Sequence, residues 1–345
     1  MTNSTLSLII PVLNEVEVLP ALVSRLNQVT QQLENVDVEF IFVDDGSTDK
    51  SFDLLKELSQ RDDRVKVLKF SRNFGSHHAC LAGLARASGE RIIIMAADLQ
   101  DPPELIPDLL VAAKSSVDVV WAIRKAREET KWVLFFAGLY HAFMKRFVFP
   151  TWPGEGADVV LMTRRVRDAL LAWPEKNTSI FGQIFWLGFH HTTITYAKGK
   201  RFAGKSKWNF SKRLKLGLDS VVSFSFLPIR VISYSGIALS LVGFLYAIVV
   251  ILFRLLNITQ VSGWASLMIV LLLVSGLQLL VLGVIGEYLW RSADQVKSRP
   301  FYVVVDELGF GKSREPAMIH AKKTGMGLPR TYPAESRESD YNPGT

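Results

Sequence analysis

The sequence predicts an α/β domain built on a mainly parallel sheet, followed by amphipathic interface helices and a two-helix transmembrane hairpin. Short β-branched apolar runs alternate with amphipathic stretches in the N-terminal part, which is typical of repeated strand–helix units. Two of these runs lead into acidic segments at Asp44 and Asp98, at the strand ends where open α/β sheets bind ligands. Two long uncharged apolar runs near the other end of the chain predict the hairpin.

The α/β domain is read from elements that follow one another in a regular order. The apolar runs predict strands at 6–13, 38–44, 65–70, 91–96 and 118–123. The amphipathic stretches between them predict helices at 15–33, 48–58, 76–87 and 102–114. The last helix has the clearest start, because Asp101 can cap it, Pro102 suits its first position and Glu104 closes a capping box.

After residue 125 the pattern changes to helical stretches with apolar stripes and basic edges. Aromatic side chains recur at helical spacing in 132–147, and 208–226 carries an apolar stripe beside dense positive charge. Both are predicted to lie in the membrane interface. For 132–147, a core helix docked on the sheet is an equal alternative.

The predicted hairpin consists of the runs 231–253 and 264–286, each of 23 residues without a charged side chain. About 20 apolar residues cross the hydrocarbon core, so both are long enough to span it. Arg230, Arg291, Lys297 and Arg299 flank the outer ends, against Arg254 alone at the connector. The positive-inside rule therefore predicts an inner-membrane protein with both termini and the α/β domain in the cytoplasm.

These features divide the chain into three predicted parts. Residues 1–226 form the α/β domain with its interface helices, 227–292 the hairpin, and 293–345 a cytoplasmic C-terminal segment. Glycine, proline and charge dominate from about residue 311, which predicts a poorly ordered tail there.

The net charge of +7 suits nucleic acid, anionic lipid or a phosphorylated substrate. Eight of the basic residues fall within 198–215, a stretch without any acid just before the first apolar run. Such a juxtamembrane cluster favours anionic headgroups by about 1 kcal/mol per charge, so we expect a membrane partner and no nucleic acid. The chain has no Gly-x-Gly-x-x-Gly or phosphate-loop motif, which argues against dinucleotide oxidoreductases and P-loop kinases.

The strand ends supply the candidate ligands for a cation and a nucleotide. Asp98 can bind a divalent cation, Mg²⁺ or Mn²⁺, and Gln100 can add a neutral oxygen ligand. The alternative for Asp98 is a helix cap, and for Asp101 capping is the favoured interpretation. Seven further residues are expected to bind the donor nucleotide or its phosphates: Pro11, Asn14, Glu15, Asp44, Asp45, Arg72 and Asn73. For Arg72 a surface salt bridge is the alternative.

Four segments carry a resemblance to a known family: PVLNE at 11–15, VDDGSTD at 43–49, SRNFG at 71–75 and DLQDPPE at 98–104. In this order they resemble the motifs of family 2 glycosyltransferases with the GT-A fold. RFAGKSK at 201–207, the two apolar runs and GEYL at 286–289 are similar to the polyprenyl-phosphate glycosyltransferases. The likeness covers roughly residues 5–305. There are two departures: Ala96 stands where the family usually has the first Asp of Asp-x-Asp, and Lys205 where it often has an acid.

The resemblance implies inverting transfer of a hexose from a nucleotide diphosphate sugar to a polyprenyl phosphate, with undecaprenyl phosphate as the expected acceptor. UDP-glucose is the first expectation for the donor, ahead of UDP-N-acetylglucosamine and GDP-mannose. By resemblance Asp158 lies near the acceptor phosphate and sugar, although the sequence alone favours a turn-forming Asp. The types of Arg201, Ser206 and Lys207 suit a phosphate monoester, or alternatively a basic loop on lipid headgroups. The catalytic candidates are thus Asp98, Asp158 and Arg201.

Three other functions are weighed against this one. A processive polysaccharide synthase usually carries Gln-x-x-Arg-Trp and more spans, which this chain lacks. A catalytically impaired membrane scaffold of the same fold is suggested by Ala96, and retained Asp98, Gln100, Arg201 and Lys207 argue against it. A nucleic-acid-binding protein is disfavoured by the place of the basic cluster. A homo-oligomer is left open.

Overall fold

The computed structural model describes residues 4–114, 116–124, 138, 157–172, 179–197, 199, 227–256, 263–297 and 299–311. The strands are β1 Ser4–Val12, β2 Val36–Asp44, β3 Val65–Phe70, β4 Arg91–Ile94, β5 Val119–Arg124, β6 Ala157–Thr163, β7 His191–Tyr196 and β8 Val304–Leu308. The helices are α1 Leu19–Thr30, α2 Ser51–Arg61, α3 Ser76–Arg86, α4 Leu105–Ala112, α5 Arg164–Leu171, α6 Ile180–Trp186, α7 Leu227–Leu255 and α8 Trp264–Val296. The predicted interface helices at 132–147 (apart from residue 138) and 208–226, and the tail beyond 311, lie outside the described residues.

The described strands form one sheet in the order β7-β5-β6-β4-β1-β2-β3-β8. Four neighbouring pairs are parallel: β1 with β2, β1 with β4, β2 with β3 and β5 with β7. The remaining pairs, β4 with β6, β5 with β6 and β3 with β8, are antiparallel. The predicted α/β class with a mainly parallel sheet is therefore confirmed.

The connection after β4 differs from a simple strand–helix repeat. The predicted strand at 118–123 exists as β5, but β6 lies between it and β4 and runs antiparallel to both. The insertion is stable because Val159 to Met162 of β6 are at most 1% exposed, so both of its faces are covered. Such continuous apolar runs are typical of central strands, in which both faces of the sheet are packed.

Helices cover both faces of the sheet, as the alternating side chains of β1 show. Leu6, Leu8 and Ile10 pack in one apolar cluster with α1 and α4, whereas Ile9 packs in the other with α3, α5 and α6. Helix α3 approaches β1 closely, because a Cβ added at Gly83 would lie 2.4 Å from Cγ2 of Ile9. The result is a three-layer domain whose loops at the strand ends remain available for a site.

The two long helices α7 and α8 contain the predicted apolar runs. They include candidate membrane spans at Ile229–Phe253 and Leu273–Asp294, and none of either span is buried within the described part of the chain. The first matches the predicted span at 231–253, while the second begins and ends later than the predicted 264–286. By length and composition, both helices can cross a membrane.

Beyond α8 the chain returns to the sheet. Residues 304–308 form β8, which pairs antiparallel with β3 at the sheet edge, and Phe301 and Tyr302 are 4% and 2% exposed. The assignment of 293–345 to a separate segment therefore does not describe 301–308, which are part of the α/β domain. The physical reason is that these two aromatic side chains complete the apolar cluster on the α3 face.

Candidate active site

The four motif segments lie at one edge of the sheet. Strands β4, β1, β2 and β3 are parallel neighbours, and Val12 is in register with Asp44, which is in register with Lys69. Their carboxyl ends therefore share an edge, followed by loops at 13–18, 45–50, 71–75 and 95–104. In chain order, β2 and β3 are added on one side of β1, and β4 is then added on the other side. Open α/β sheets have a ligand-binding crevice at the point where the strand order reverses in this way.

Asn14 holds the first two loops together. It has a φ of 49°, a left-handed conformation that Asn tolerates better than most residues. Its Oδ1 accepts a hydrogen bond from the backbone N–H of Thr48 at 2.7 Å, and its own N–H donates to Oγ of Ser47 at 2.9 Å. The N–H of Glu15 donates in turn to Oγ of Ser51 at 2.9 Å. Asn14 and Glu15 thus lie at the predicted edge of the sheet. Their hydrogen bonds order the second loop.

Asp44, the last residue of β2, and Asp45, the next residue, are buried carboxylates, 0% and 3% exposed. Oδ1 of Asp44 accepts from the N–H of Ser47 at 3.2 Å, and its Oδ2 has no hydrogen-bond partner among the described residues. Asp45 accepts from the N–H of Phe74 at 2.7 Å and of Gly75 at 2.9 Å. Burial raises the pKa of both carboxyls above the usual range, that of Asp45 to about 6, against the opposing effect of these bonds. Their contact with a nucleotide stays a prediction.

The second and third loops are in direct backbone contact. Gly46 has a φ of +70°, and a Cβ there would lie 2.5 Å from the backbone carbonyl carbon of Arg72. Only glycine fits this approach. The exposed side chain of Arg72 lies over the ring of Phe74, 4.0 Å from its centroid, and donates to the carbonyl of Asn73 at 3.0 Å. No salt bridge of Arg72 is seen among the described residues, so the cation–π contact takes the place of the predicted alternative.

The candidate metal residues lie on the loop after β4. Asp98 and Gln100 are partly exposed, and Oδ1 of Asp98 accepts from the N–H of Gln100 at 3.1 Å. Between them Leu99 has a φ of 57°, a left-handed conformation that is uncommon for residues other than glycine. No group of three or more His, Cys, Asp or Glu side chains that could hold a metal occurs in the described ranges. The assignment of Asp98 and Gln100 as metal ligands therefore stays a prediction.

The capping box predicted at 101–104 is wrong in its position. Helix α4 begins at Leu105 with Glu104 at its N-cap and no side-chain cap bond. Asp101 is 1% exposed and accepts a hydrogen bond from the hydroxyl of Tyr196 at the end of β7, while Glu104 pairs with Arg25. The hydroxyl of Tyr196 thus ties the carboxylate of Asp101 to the end of β7.

The acceptor candidates fall at the border of the described residues. Asp158 lies at the start of β6, and because Val160 is in register with Ile94, its backbone reaches the edge where β4 ends. Arg201, Ser206 and Lys207 lie outside the described residues. The chain that leads to them is tied to the candidate metal loop, residues 95–104, since the N–H of Gly199 donates to the carbonyl of Gln100 at 2.8 Å.

Sequence reasoning missed Tyr196 and Phe74 as residues that shape the site. Tyr196 ends a threonine-rich strand that was not predicted, and it holds Asp101 across 95 positions of sequence. Phe74 stands inside a motif, but its importance lies in its backbone N–H and its ring contacts. Neither carries a local signal, because both act through distant partners.

The mainly parallel sheet with acidic loops at the carboxyl ends of its strands, followed by two apolar helices, has the architecture that the motif resemblance implies. Residues 7–171 match the family described as glycosyl transferase family 2. The chain belongs to that family, since relatives at 33–39% identity align with it over most of its length. The resemblance predicted from the motifs is confirmed.

Two curated relatives illustrate the similarity. An uncharacterized glycosyltransferase of Bacillus subtilis, YkcC, is 39% identical over 89% of this chain and 95% of its own length. A prophage-derived bactoprenol glucosyl transferase of Shigella flexneri is 34% identical over 87% of this chain and 97% of its own. Among solved structures, glucosyl-3-phosphoglycerate synthase from Mycobacterium tuberculosis has a TM-score of 0.46 at 14% identity, covering 64% of this chain and 77% of that one.

Proposed function

We propose that the protein transfers a hexose from a nucleotide diphosphate sugar, with UDP-glucose as the first candidate, to a polyprenyl phosphate. The relative named bactoprenol glucosyl transferase supports a lipid acceptor, and its alignment covers 97% of that protein. The observation that carries the proposal is the hydrogen bond from Gly199 to Gln100, because it joins the metal loop to the start of the basic segment 198–215. A lipid-borne phosphate arriving through that segment would reach the metal loop.

The donor set fits a divalent cation, Mg²⁺ or Mn²⁺. A carboxylate and an amide oxygen two residues apart suit a hard cation that keeps phosphate oxygens and water in its shell. Bound there, the cation would offset the charge that develops on the departing nucleoside diphosphate. Ala96 removes one carboxylate from the family pattern, so Asp98 is the charged ligand on which this binding would depend.

The chain's own residues position the reactants. The buried carboxylates of Asp44 and Asp45 would face the nucleoside. Pro11 and Glu15 would form the opposite wall, and Asn14 orders the loop between the two. Arg201, Ser206 and Lys207 would hold the acceptor phosphate, with Asp158 near the sugar. A phosphate monoester has a second pKa of about 6 and is already a nucleophile at neutral pH, so no dedicated general base is required.

The fold supports transfer at the cytoplasmic face. Strands β3 and β8 precede and follow the two apolar helices, and both belong to the same sheet. The chain must therefore cross the membrane an even number of times between them. The excess of basic residues at the outer ends of the helices favours a cytoplasmic sheet domain.

An assay of the purified full-length protein with undecaprenyl phosphate and a panel of radiolabelled nucleotide sugars tests the proposal. We expect label in the lipid fraction with one donor, and loss of that label on chelation of divalent cations. Lack of transfer from every donor, with nucleotide binding retained, would favour the scaffold that Ala96 suggests.

A further inference from the structure

We propose that residues 301–310, which follow the second apolar helix, are a positioning element of the donor-nucleotide loop 71–75. This inference rests on the proposed function only in calling that loop a donor loop. Phe301 follows the end of α8 at Val296 by five positions, so a short link connects the membrane helix to the element.

The element lies directly against the base of the loop. The carbonyl of Val303 accepts a hydrogen bond from the N–H of Ser71 at 3.0 Å, the first residue after β3. Tyr302 stacks on Phe70, with ring centroids 5.0 Å apart and planes at 12°. The ring of Phe301 lies 6.2 Å from that of His78, on the helix that follows the loop. Neighbouring residues of one segment therefore contact the chain at both ends of the loop.

These contacts continue to the buried carboxylate of the site. Phe70 meets the ring of Phe74 edge to face at 5.7 Å, and Nδ1 of His78 is 2.8 Å from the carbonyl oxygen of Phe74. The N–H of Phe74 donates to Asp45. A displacement of Tyr302 would thus shift Phe70 and Phe74 and change the geometry at Asp45.

The element is anchored independently at its far end. Arg86 of α3 donates to both carboxylate oxygens of Glu307, at 2.6 and 2.8 Å, and the Arg86 side chain is only 6% exposed. Gly309 has a φ of +76°, and a Cβ there would lie 2.5 Å from the carbonyl of Val65. A segment held at both ends can fix the loop between them, whereas a loosely attached terminus could not.

Tyr302 offers a matched pair of variants. Its hydroxyl is buried and has no hydrogen-bond partner within the part of the chain described here, so only its ring engages Phe70. Tyr302→Leu removes the stack, while Tyr302→Phe keeps it. Val305→Ala, at a side chain that is 53% exposed on β8, controls for changes on the strand that do not face the loop.

Two measurements on the full-length protein test the proposal: the Kd of UDP with Mn²⁺ by calorimetry, and hydrogen exchange of the amides in 71–75. We expect faster exchange and about tenfold weaker UDP binding in Tyr302→Leu, since a loop in its binding conformation a tenth of the time binds about tenfold more weakly. Tyr302→Phe and Val305→Ala should match the wild type in both. In transfer assays, Tyr302→Leu should raise the KM for the donor much more than that for the acceptor.

The results separate this inference from the proposed function. Unchanged exchange at 71–75 in Tyr302→Leu, or UDP binding equal to the wild type, would overturn the inference. So would a loss in Tyr302→Phe equal to that in Tyr302→Leu, because the ring stack would then be irrelevant. If the wild type binds no nucleotide, the proposed function fails, and the exchange comparison still decides whether the element orders the loop. Should Tyr302→Leu not fold, Glu307→Gln loosens the anchor and serves in the same comparison.

Discussion

Replacing Asp45 by Asn is expected to stabilise the protein at neutral pH while weakening donor binding. The carboxylate is 3% exposed, and its two backbone hydrogen bonds do not offset the loss of water, so its pKa is raised from 3.8 to about 6. A carboxyl with a raised pKa binds its proton more tightly when folded. Its ionisation therefore lowers stability as the pH rises above 3.8, and the loss is complete above about 6.

The size of the effect follows from the difference between these pKa values. Each unit corresponds to about 1.4 kcal/mol, so ionised Asp45 lowers the free energy of unfolding by about 3 kcal/mol near pH 7.5. Near pH 4.5 the loss is only about 1 kcal/mol. Asn resembles the protonated carboxyl in shape and does not titrate. Asp45→Asn should thus raise the unfolding midpoint by roughly 6–12 °C at about pH 7.5 and by roughly 2–4 °C at about pH 4.5.

Thermal unfolding in detergent, followed by tryptophan fluorescence at both pH values, measures this difference. UDP binding by calorimetry should show weaker affinity in the same variant, because the proposed function uses the Asp45 carboxylate to accept from the nucleoside. The single amide oxygen of Asn can still accept from the N–H groups of Phe74 and Gly75, as Oδ1 of Asp45 does. A midpoint for Asp45→Asn below that of the wild type near pH 7.5 would refute the reasoning. The bonds to Phe74 and Gly75 would then outweigh the loss of hydration, and the carboxylate would be structural.

Three further predictions concern metal, topology and acceptor. Asp98→Asn should nearly abolish transfer while leaving the protein folded and membrane-inserted, and near wild-type activity with saturating metal would remove Asp98 from the mechanism. Reporters at the C-terminus should read as cytoplasmic and one inserted near Ile258 as external, whereas a periplasmic C-terminus would overturn the hairpin. Arg201→Ala and Lys207→Ala should raise the KM for the lipid phosphate by roughly tenfold or more, because a charge-assisted hydrogen bond contributes on the order of 1.5–3 kcal/mol. An equal rise in donor KM, measured in micelles without anionic lipid, would identify the segment as a membrane-surface anchor.

The elements that sequence predicts well are those with local signals. The strands ending at Asp44 and before Asp98 are continuous apolar runs followed by acids, and the structure places both at the same edge. The apolar helices follow from length and composition alone. In each case a few adjacent residues carry the whole pattern.

The parts that sequence does not predict depend on distant partners. The apolar run of β6 indicates a strand covered on both faces, but no local pattern encodes its place between β4 and β5. Asn14 has the residue type of a ligand-binding group, yet its oxygen bonds to the backbone of Thr48, 34 positions away. The carboxylate of Asp101 likewise accepts from the hydroxyl of Tyr196, 95 positions away, which no local signal encodes. Polar residues in motifs can thus order loops as well as bind ligands.

The pairing of β8 with β3 also determines the order in which the domain can be completed during synthesis. Strand β3 has emerged from the ribosome long before β8, and the two apolar helices lie between them in the chain. Until β8 has been synthesised and has paired with β3, β3 has an exposed edge with unpaired N–H and C=O groups, which invites pairing with other chains. Under the proposed topology, insertion of the two helices into the membrane is thus a late folding step of the sheet itself, and a ribosome-bound chain that ends before residue 300 has an incomplete domain.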